Sequence, residues 1–310
     1  MMVSAYCLAY NHEKYIRDTL EGFVSQKTDF PFEVFVHDDA STDATAAIIR
    51  EYAEKYPRLI KPILQTENQY SQGIPIAKTH ILPRMSGKYI AICEGDDYWC
   101  DPNKLQKQVD FLEAHPDYSA CMHNTRKLNA ATGRETVMFG VKECDLDVPT
   151  MVANPSGVCH TSSFMYRREY MQNRPAFTNA VKTVGDYPLT IYLAMEGSVH
   201  YFPEVMSVYR AFTQGSWTKR MQVNAQMAVK TQSEFAQMLK MADAYSAEQY
   251  HDAFALAIQS REYKVLKAKG ENKAAIKHPY FQHISGREKM KMYLKVCFPW
   301  LLEMKRKWNH

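Results

Sequence analysis

Two acidic clusters in the front third of the chain, Asp38-Asp39-Ala40-Ser41-Thr42-Asp43 and Glu94-Gly95-Asp96-Asp97, offer the clearest chemistry in this sequence. Side chains alternate along a strand, so adjacent aspartates at a strand's end can address two different groups, one a metal ion and the other a hydroxyl. Magnesium and manganese are hard ions that take one or two protein carboxylates and complete their shells with water and phosphate oxygens. A sparse pair such as Asp96-Asp97 therefore suits a metal-diphosphate complex. The same pair also reads as a turn whose acids cap the segment after Asp101-Pro102, and from the residues alone both readings stand. Ser41, Thr42 and Asp43 read as caps for the helix that follows them, which leaves Asp38 and Asp39 over. A carboxylate there can accept a hydrogen bond from a nucleobase imide, a chemical reason to prefer uracil.

The elements that must position these clusters repeat. Val3 to Tyr10 is a short apolar run, and Asn11 is expected to cap a helix on which Ile16, Leu20, Phe23 and Val24 recur at helical spacing. Glu33 to His37 predicts a second strand, and Ile48, Ile49 and Tyr52 a second helix stopping near Pro57. A third strand is expected from Leu59 to Gln65, a helix from Pro75 towards Met85, a fourth strand from Tyr89 to Cys93 and a helix from Leu105 to Ala114. Such alternation implies an α/β fold with a largely parallel, covered sheet. Ligands of these sheets bind beyond the carboxyl ends of the strands, where both acidic clusters fall. The pattern loosens from Asn129 to Pro155. It then predicts a strand over His160 to Tyr166, a helix over Pro188 to Met195, strand material over Val199 to Tyr209 and helices from about Met221 onward. The domain edge is placed near Lys219.

With 310 residues, 46% hydrophobic and 23% charged, the chain has the composition of a folded protein with a sizeable core. A net charge of +4 is too small to argue for a nucleic-acid partner. Seven scattered cysteines without C-x-x-C spacing fit a reduced compartment better than a disulfide framework or a zinc knuckle. The start, Val3 to Leu8, runs straight into Asn11-His12-Glu13-Lys14, which predicts no signal peptide, and no apolar stretch is long enough to span a bilayer. Lysine and arginine accumulate after Arg261. Lys289 to Trp308 mixes them with apolar residues, and two readings of this tail stand: contact with an anionic membrane surface, or packing of the apolar face on the catalytic domain.

In their order and spacing, Tyr10-Asn11, Asp38-Asp39-Ala40-Ser41-Thr42-Asp43 and Glu94-Gly95-Asp96-Asp97-Tyr98-Trp99 resemble the family 2 glycosyltransferases, from about Val3 to Gln214. The resemblance implies a GT-A type α/β fold over 1–219, with a nucleotide-binding part over about 1–125, an acceptor-binding part over about 126–219 and a mainly helical extension over 220–310. It implies sugar transfer from a nucleotide-diphosphate donor, a UDP-sugar by the reading of Asp39, to a glycan or lipid-linked acceptor with inversion. Surface polysaccharide synthesis on the cytoplasmic side of the membrane is the implied setting. By the same resemblance Tyr10 packs on the base, Asp39 binds it, Asp96 meets the ribose and Asp97 coordinates a divalent metal, Mn or Mg. Val184-Gly185-Asp186-Tyr187-Pro188-Leu189 is similar to the segment that supplies the family's base, so Asp186 would deprotonate the acceptor, although Gly185 stands where many members have an acid. The alternative for Asp186 is a helix N-cap before Pro188. Tyr209 to Ser216 is similar to the family's closing loop, with Phe212 where some members place a histidine; Arg210 there reads as a charge or as packing. His160 reads as lining the acceptor cleft or as structural. Two other functions share parts of this pattern. A sugar-nucleotidyltransferase would need a glycine-rich loop after its first strand, where Ala9 to Lys14 has no glycine. A catalytically idle nucleotide-binding scaffold would keep the same carboxylates.

Overall fold

Apolar strands alternating with amphipathic helices build the front of the chain in the computed structural model, which describes residues 1–154, 159–181, 184–213 and 224–297. Strands β1 (Val3–Ala9), β2 (Phe32–Asp38), β3 (Ile60–Leu64) and β4 (Tyr89–Ile92) are separated by helices α1 (Ile16–Val24) and α2 (Thr45–Lys55) and, before β4, by a π-helical turn and a 3-10 turn over Ala77–Arg84. These strands pair in parallel in the order β3-β2-β1-β4. Every residue of β4 is buried, as expected of a strand covered on both faces. On α1 the buried residues are Ile16, Thr19, Leu20, Gly22 and Phe23, one face of the helix.

Beyond β4 the sheet is mixed. After β5 (Tyr98–Trp99) and α3 (Lys104–Ala114) come β6 (Tyr118–Asn129), β7 (Glu135–Val137), β8 (Cys144–Asp145), α4 (Val148–Ala153), β9 (Met165–Arg167), α5 (Asp186–Glu196) and β10 (Ser198–Ala211). β9 runs antiparallel between β4 and β6, β10 is parallel to β6, and β5, β7 and β8 attach antiparallel. The expected parallel pairing thus holds for β1 to β4 and again between β6 and β10, with the short strands β5, β7, β8 and β9 added antiparallel.

Several local expectations are corrected. Asn11 does not cap α1; it adopts φ 55° and its Oδ1 accepts the Thr42 amide at 2.8 Å, so it ties the β1 turn to the β2 turn. None of the three predicted caps is the N-cap of α2, which is Ala44; Asp43, one residue earlier, accepts the Thr45 amide at 2.9 Å, and Ser41 donates to Asp38. The helix expected over Pro75 to Met85 is irregular because Pro83 has no amide to continue an α-helical ladder. The strand expected over His160 to Tyr166 is a 3-10 turn over Thr161–Ser163 followed by β9.

Two compact units divide the chain, Met1–Arg174 with Leu189–Ser216, and Pro175–Pro188 with Trp217–His310. The second contains α6 (Ala225–Tyr245), α7 (His251–Lys269), α8 (Asn272–Lys277) and α9 (Gly286–Cys297). Gly270 ends α7 at φ 77°, a left-handed conformation that glycine adopts without a Cβ penalty, and its amide closes on Lys267. Tyr263, Ala275, Phe281 and Met292 form a core in this unit. Lys219, Gln214 to Ser216 and the tail after Cys297 lie outside the described residues. Among the described residues no helix is long and apolar enough to cross a membrane.

Candidate functional site

The carboxyl ends of β1, β2 and β4 share one rim because the strands are parallel neighbours in register. Ala9 pairs with Asp38, and the amides of Asp39 and Gly95 donate to the carbonyls of Ala9 (3.0 Å) and Leu8 (2.9 Å). Tyr10, Asp38, Asp39, Asp96 and Asp97 are thereby brought to a single edge. Three non-glycine residues with positive φ follow strands here: Asn11 after β1 (55°), Ala40 after β2 (60°) and Phe212 after β10 (67°). Left-handed backbone at such residues is uncommon and clusters at functional rims.

Glycine at position 95 lets the acidic turn lie against β1. A Cβ there would sit 2.8 Å from His12 Nδ1 and 3.0 Å from both Ala9 Cβ and Leu8 O. Similarly, a Cβ on Gly22 would meet the Trp99 carbonyl oxygen at 2.8 Å, so α1 closes onto β5 directly behind the turn. Phe23 packs edge-on against the Trp99 ring at 4.8 Å, and Thr19 Oγ1 donates to the Asp97 carbonyl at 2.6 Å. The doublet is thus held from below by a helix, not by a flexible loop.

Asp97 is 1% exposed. Its Oδ1 accepts the backbone amide of Arg210 at 2.8 Å, whereas its Oδ2 lies 3.7 Å from His160 Nδ1, beyond hydrogen-bonding distance. Burial pushes the Asp97 carboxyl well above its usual range, Asp96 adds to the rise, and the Arg210 amide opposes it. Asp96 is half-buried and its Oδ2 accepts from Thr213 Oγ1 at 2.9 Å. His160 is pushed down to about 4 by burial, so its imidazole is neutral at pH 7. It stacks on Tyr209 at 4.3 Å, and its Nδ1 accepts the Ser162 amide, which leaves the ring proton on Nε2. A neutral imidazole edge faces a carboxylate oxygen that has no donor among the described residues. Such a set suits a divalent cation: Asp97, with Asp96 beside it, would supply the protein oxygens. Among the described residues no cluster of three or more His, Cys, Asp or Glu side chains could hold a metal by itself. Phosphate oxygens and water would have to complete the shell.

Arg210 has a larger part in this site than its sequence context indicates. It is 6% exposed, its Nη1 donates to the Asp96 carbonyl at 2.9 Å, its Nη2 pairs with Asp18, and its guanidinium covers the Tyr98 ring at 4.5 Å. Asp18 is 192 residues away in the chain, so no local pattern joins the two. Thr213, which donates to Asp96 from 117 residues away, likewise has no local signal.

Asp39 is 3% exposed, and its carboxylate accepts the amides of Gln69 (2.8 Å) and Tyr70 (3.0 Å). Each oxygen keeps a second acceptor site. Tyr10 is 45% exposed above this rim, a ring open to stacking. Asp186 is in the second unit, where it is exposed as the first residue of α5 and its Oδ1 accepts the Tyr187 amide at 2.8 Å. Tyr187 is buried there, edge-on to Phe235 at 5.4 Å and beneath the Arg261 guanidinium at 5.3 Å.

Comparison with known proteins agrees with this architecture. The sequence pattern described as glycosyl transferase family 2 matches residues 4–174. The uncharacterized protein Rv1520 of Mycobacterium tuberculosis is 38% identical over 218 residues, 69% of this chain, and the chain covers 60% of that relative's length. In Escherichia coli, the UDP-Glc:alpha-D-GlcNAc-diphosphoundecaprenol beta-1,3-glucosyltransferase WfaP is 29% identical over 168 residues, 52% of this chain and 64% of that protein. The crystal structure of residues 1–349 of S. aureus TarS in complex with UDP-GlcNAc superposes with a TM-score of 0.62 at 20% identity, covering 86% of this chain and 73% of that one. At that identity the likeness establishes a shared fold, a mixed α/β sheet with helices on its faces and a helical C-terminal region.

Proposed function

This chain belongs to glycosyl transferase family 2, and from that premise we propose that it transfers a sugar from a nucleotide-diphosphate donor, a UDP-sugar, to a hydroxyl of a glycan or lipid-linked acceptor with inversion. The observation that carries the proposal is the buried Asp97 carboxylate beside Asp96 at the strand rim, with one oxygen fixed by the Arg210 amide and the other without a donor among the described residues. In this reading Tyr10 stacks on the base, a remaining lone pair of Asp39 accepts from the base imide, and Asp96 accepts from the ribose. A divalent cation held by Asp97 would offset the charge that develops on the departing diphosphate. Asp186 takes the proton of the acceptor hydroxyl as its oxygen attacks the anomeric carbon from the face opposite the leaving group, and this single displacement inverts the centre. WfaP acts on a lipid-diphosphate acceptor with a UDP-glucose donor, which supports a related acceptor class and a cytoplasmic role in surface polysaccharide synthesis here.

The test is a panel of nucleotide sugars assayed for manganese-dependent release of nucleoside diphosphate, with and without lipid-linked glycan, comparing the natural protein with Asp97→Asn. Asparagine keeps the acceptor for the Arg210 amide but removes the charge, so turnover is expected to fall by at least about 100-fold. Turnover untouched by this change, or no turnover with any donor, would overturn the proposal.

A further inference from the structure

Helix α9 turns apolar side chains in two opposite directions. Met292, 3% exposed, points inward onto Tyr263, Ala275 and Phe281. Met290, Tyr293, Leu294 and Cys297 recur at spacings of three and four residues, which places them on one stripe of the helix. That stripe is open to solvent: Met290 is 59% exposed, Tyr293 51% and Leu294 42%, and Cys297 is exposed as well. The Tyr293 ring meets the edge of Phe281 at 5.4 Å. One inward face suffices to pack a helix on a small core, so the outward stripe serves something else.

The charges bordering the stripe indicate what that is. Arg287 and Lys291 flank it on one side and Lys289 on the other, with Lys295 a turn further on. A single carboxylate, Glu288, shares the helix, and it lies 3.8 Å from Lys267 of α7. An apolar stripe between rows of cations matches a lipid surface carrying negative headgroups, with acyl chains receiving the stripe and phosphates receiving the cations. A second copy of the chain would bring the same cations face to face, and a nucleic acid would leave the stripe in water. The helix has 12 residues, about 18 Å, so it can lie in the plane of the interface but not span the bilayer.

We propose that α9 is a peripheral anchor that seats the Met290-Tyr293-Leu294-Cys297 stripe in the headgroup region of an anionic membrane. This stands apart from the reading of the acidic pair, since it concerns where the protein sits and not what it transfers. It is tested by co-sedimentation of the full chain with vesicles of pure phosphatidylcholine or of phosphatidylcholine mixed with phosphatidylglycerol, at low and high salt. Binding is expected on the phosphatidylglycerol vesicles only, and it should weaken as salt rises. Arg287→Gln and Lys291→Gln should each reduce it about fivefold, the factor that one cation near an anionic surface is worth. The Met290→Ser, Leu294→Ser double variant replaces exposed side chains only, so its far-ultraviolet circular dichroism and melting should match the natural protein while vesicle binding falls at least tenfold. Equal binding to both vesicle types, or undiminished binding by these variants, would overturn the proposal. So would a concentration-dependent dimer abolished by the double variant without any change on vesicles, which would assign the stripe to a second copy.

Discussion

Gly95→Ala examines the link between packing and chemistry most directly. The added Cβ would lie 2.8 Å from His12 Nδ1 and 3.0 Å from Ala9 Cβ and Leu8 O, against an ordinary contact of 3.4 Å or more. Two of these three atoms belong to β1, whose end is fixed by hydrogen bonds from Asp39 and Gly95 itself, so the acidic turn has to move by roughly half an ångström. Overpacking of this kind costs about 1–3 kcal/mol, and the stiffer unfolded chain returns about 0.4–1 kcal/mol, leaving a net loss of roughly 1–2 kcal/mol. Displacing Asp96 and Asp97 by this amount should weaken turnover roughly tenfold, given that an ångström of misplacement costs about 100-fold. Gly185→Ala is the control: among the described residues nothing lies within 4 Å of the added Cβ, and its change should stay within about 0.5 kcal/mol. Urea denaturation measures the first effect and manganese-dependent release of nucleoside diphosphate the second, while calorimetric titration with UDP and manganese reports the affinity of the site. If Gly95→Ala is as stable as Gly185→Ala and binds UDP as tightly, then the close approach of turn and strand does not position the carboxylates, and the reasoning fails.

Lys104 is fully buried, donates to Gln108 Oε1 at 2.6 Å, and burial lowers its pKa to about 7. The unfolded lysine titrates near 10.4, so between pH 7 and 10 the unfolded chain holds a proton that the folded chain lacks, and stability rises with pH across that window. Below pH 7 the buried charge costs on the order of 4 kcal/mol; Lys104→Met, losing about 1 kcal/mol with the hydrogen bond, should gain roughly 3 kcal/mol at pH 6 and nothing at pH 10. Equal effects at both pH values in urea denaturation would refute this. Arg210→Met should cost about 2–3 kcal/mol because it strips a charged hydrogen bond from the Asp96 carbonyl. Asp18→Asn should cost under about 1 kcal/mol, since the Asp18 side chain is 60% exposed and its pair with Arg210 is screened. A comparable loss from both would show that the ion pair, and not the hold on Asp96, matters.

The legible part of the fold was the part in which burial writes itself as apolar runs. β1 to β4 are short hydrophobic segments between helical periodicities, so the rim and its carboxylates followed from sequence. β6 was missed because Ser119, Asn124 and Thr125 are buried polar residues, satisfied by partners such as the Leu193 carbonyl, the Phe139 carbonyl and the Ser207 hydroxyl that no local pattern reveals. The expected cap at Asn11 failed for a related reason: its partner, Thr42, is 31 residues on. Arg210 and Asp18 meet across a far longer interval. Local spacing identifies which residues can act, whereas the residues that hold them come from remote chain.

Strand β10 has a consequence for the order of events during synthesis. It lies between β6 and β5, and β5, which continues directly from the acidic turn, has β10 as its ladder partner. Chains fold from the N-terminus as they emerge, yet β5 must wait more than 100 residues for that partner, through the whole of 175–188, a stretch assigned to the other unit. Until Ala211 has left the ribosome, the Arg210 amide that fixes Asp97 does not exist. The nascent protein therefore holds the backbone of its acidic turn early, on β1 and α1, but fixes the Asp97 side chain only once β10 is made.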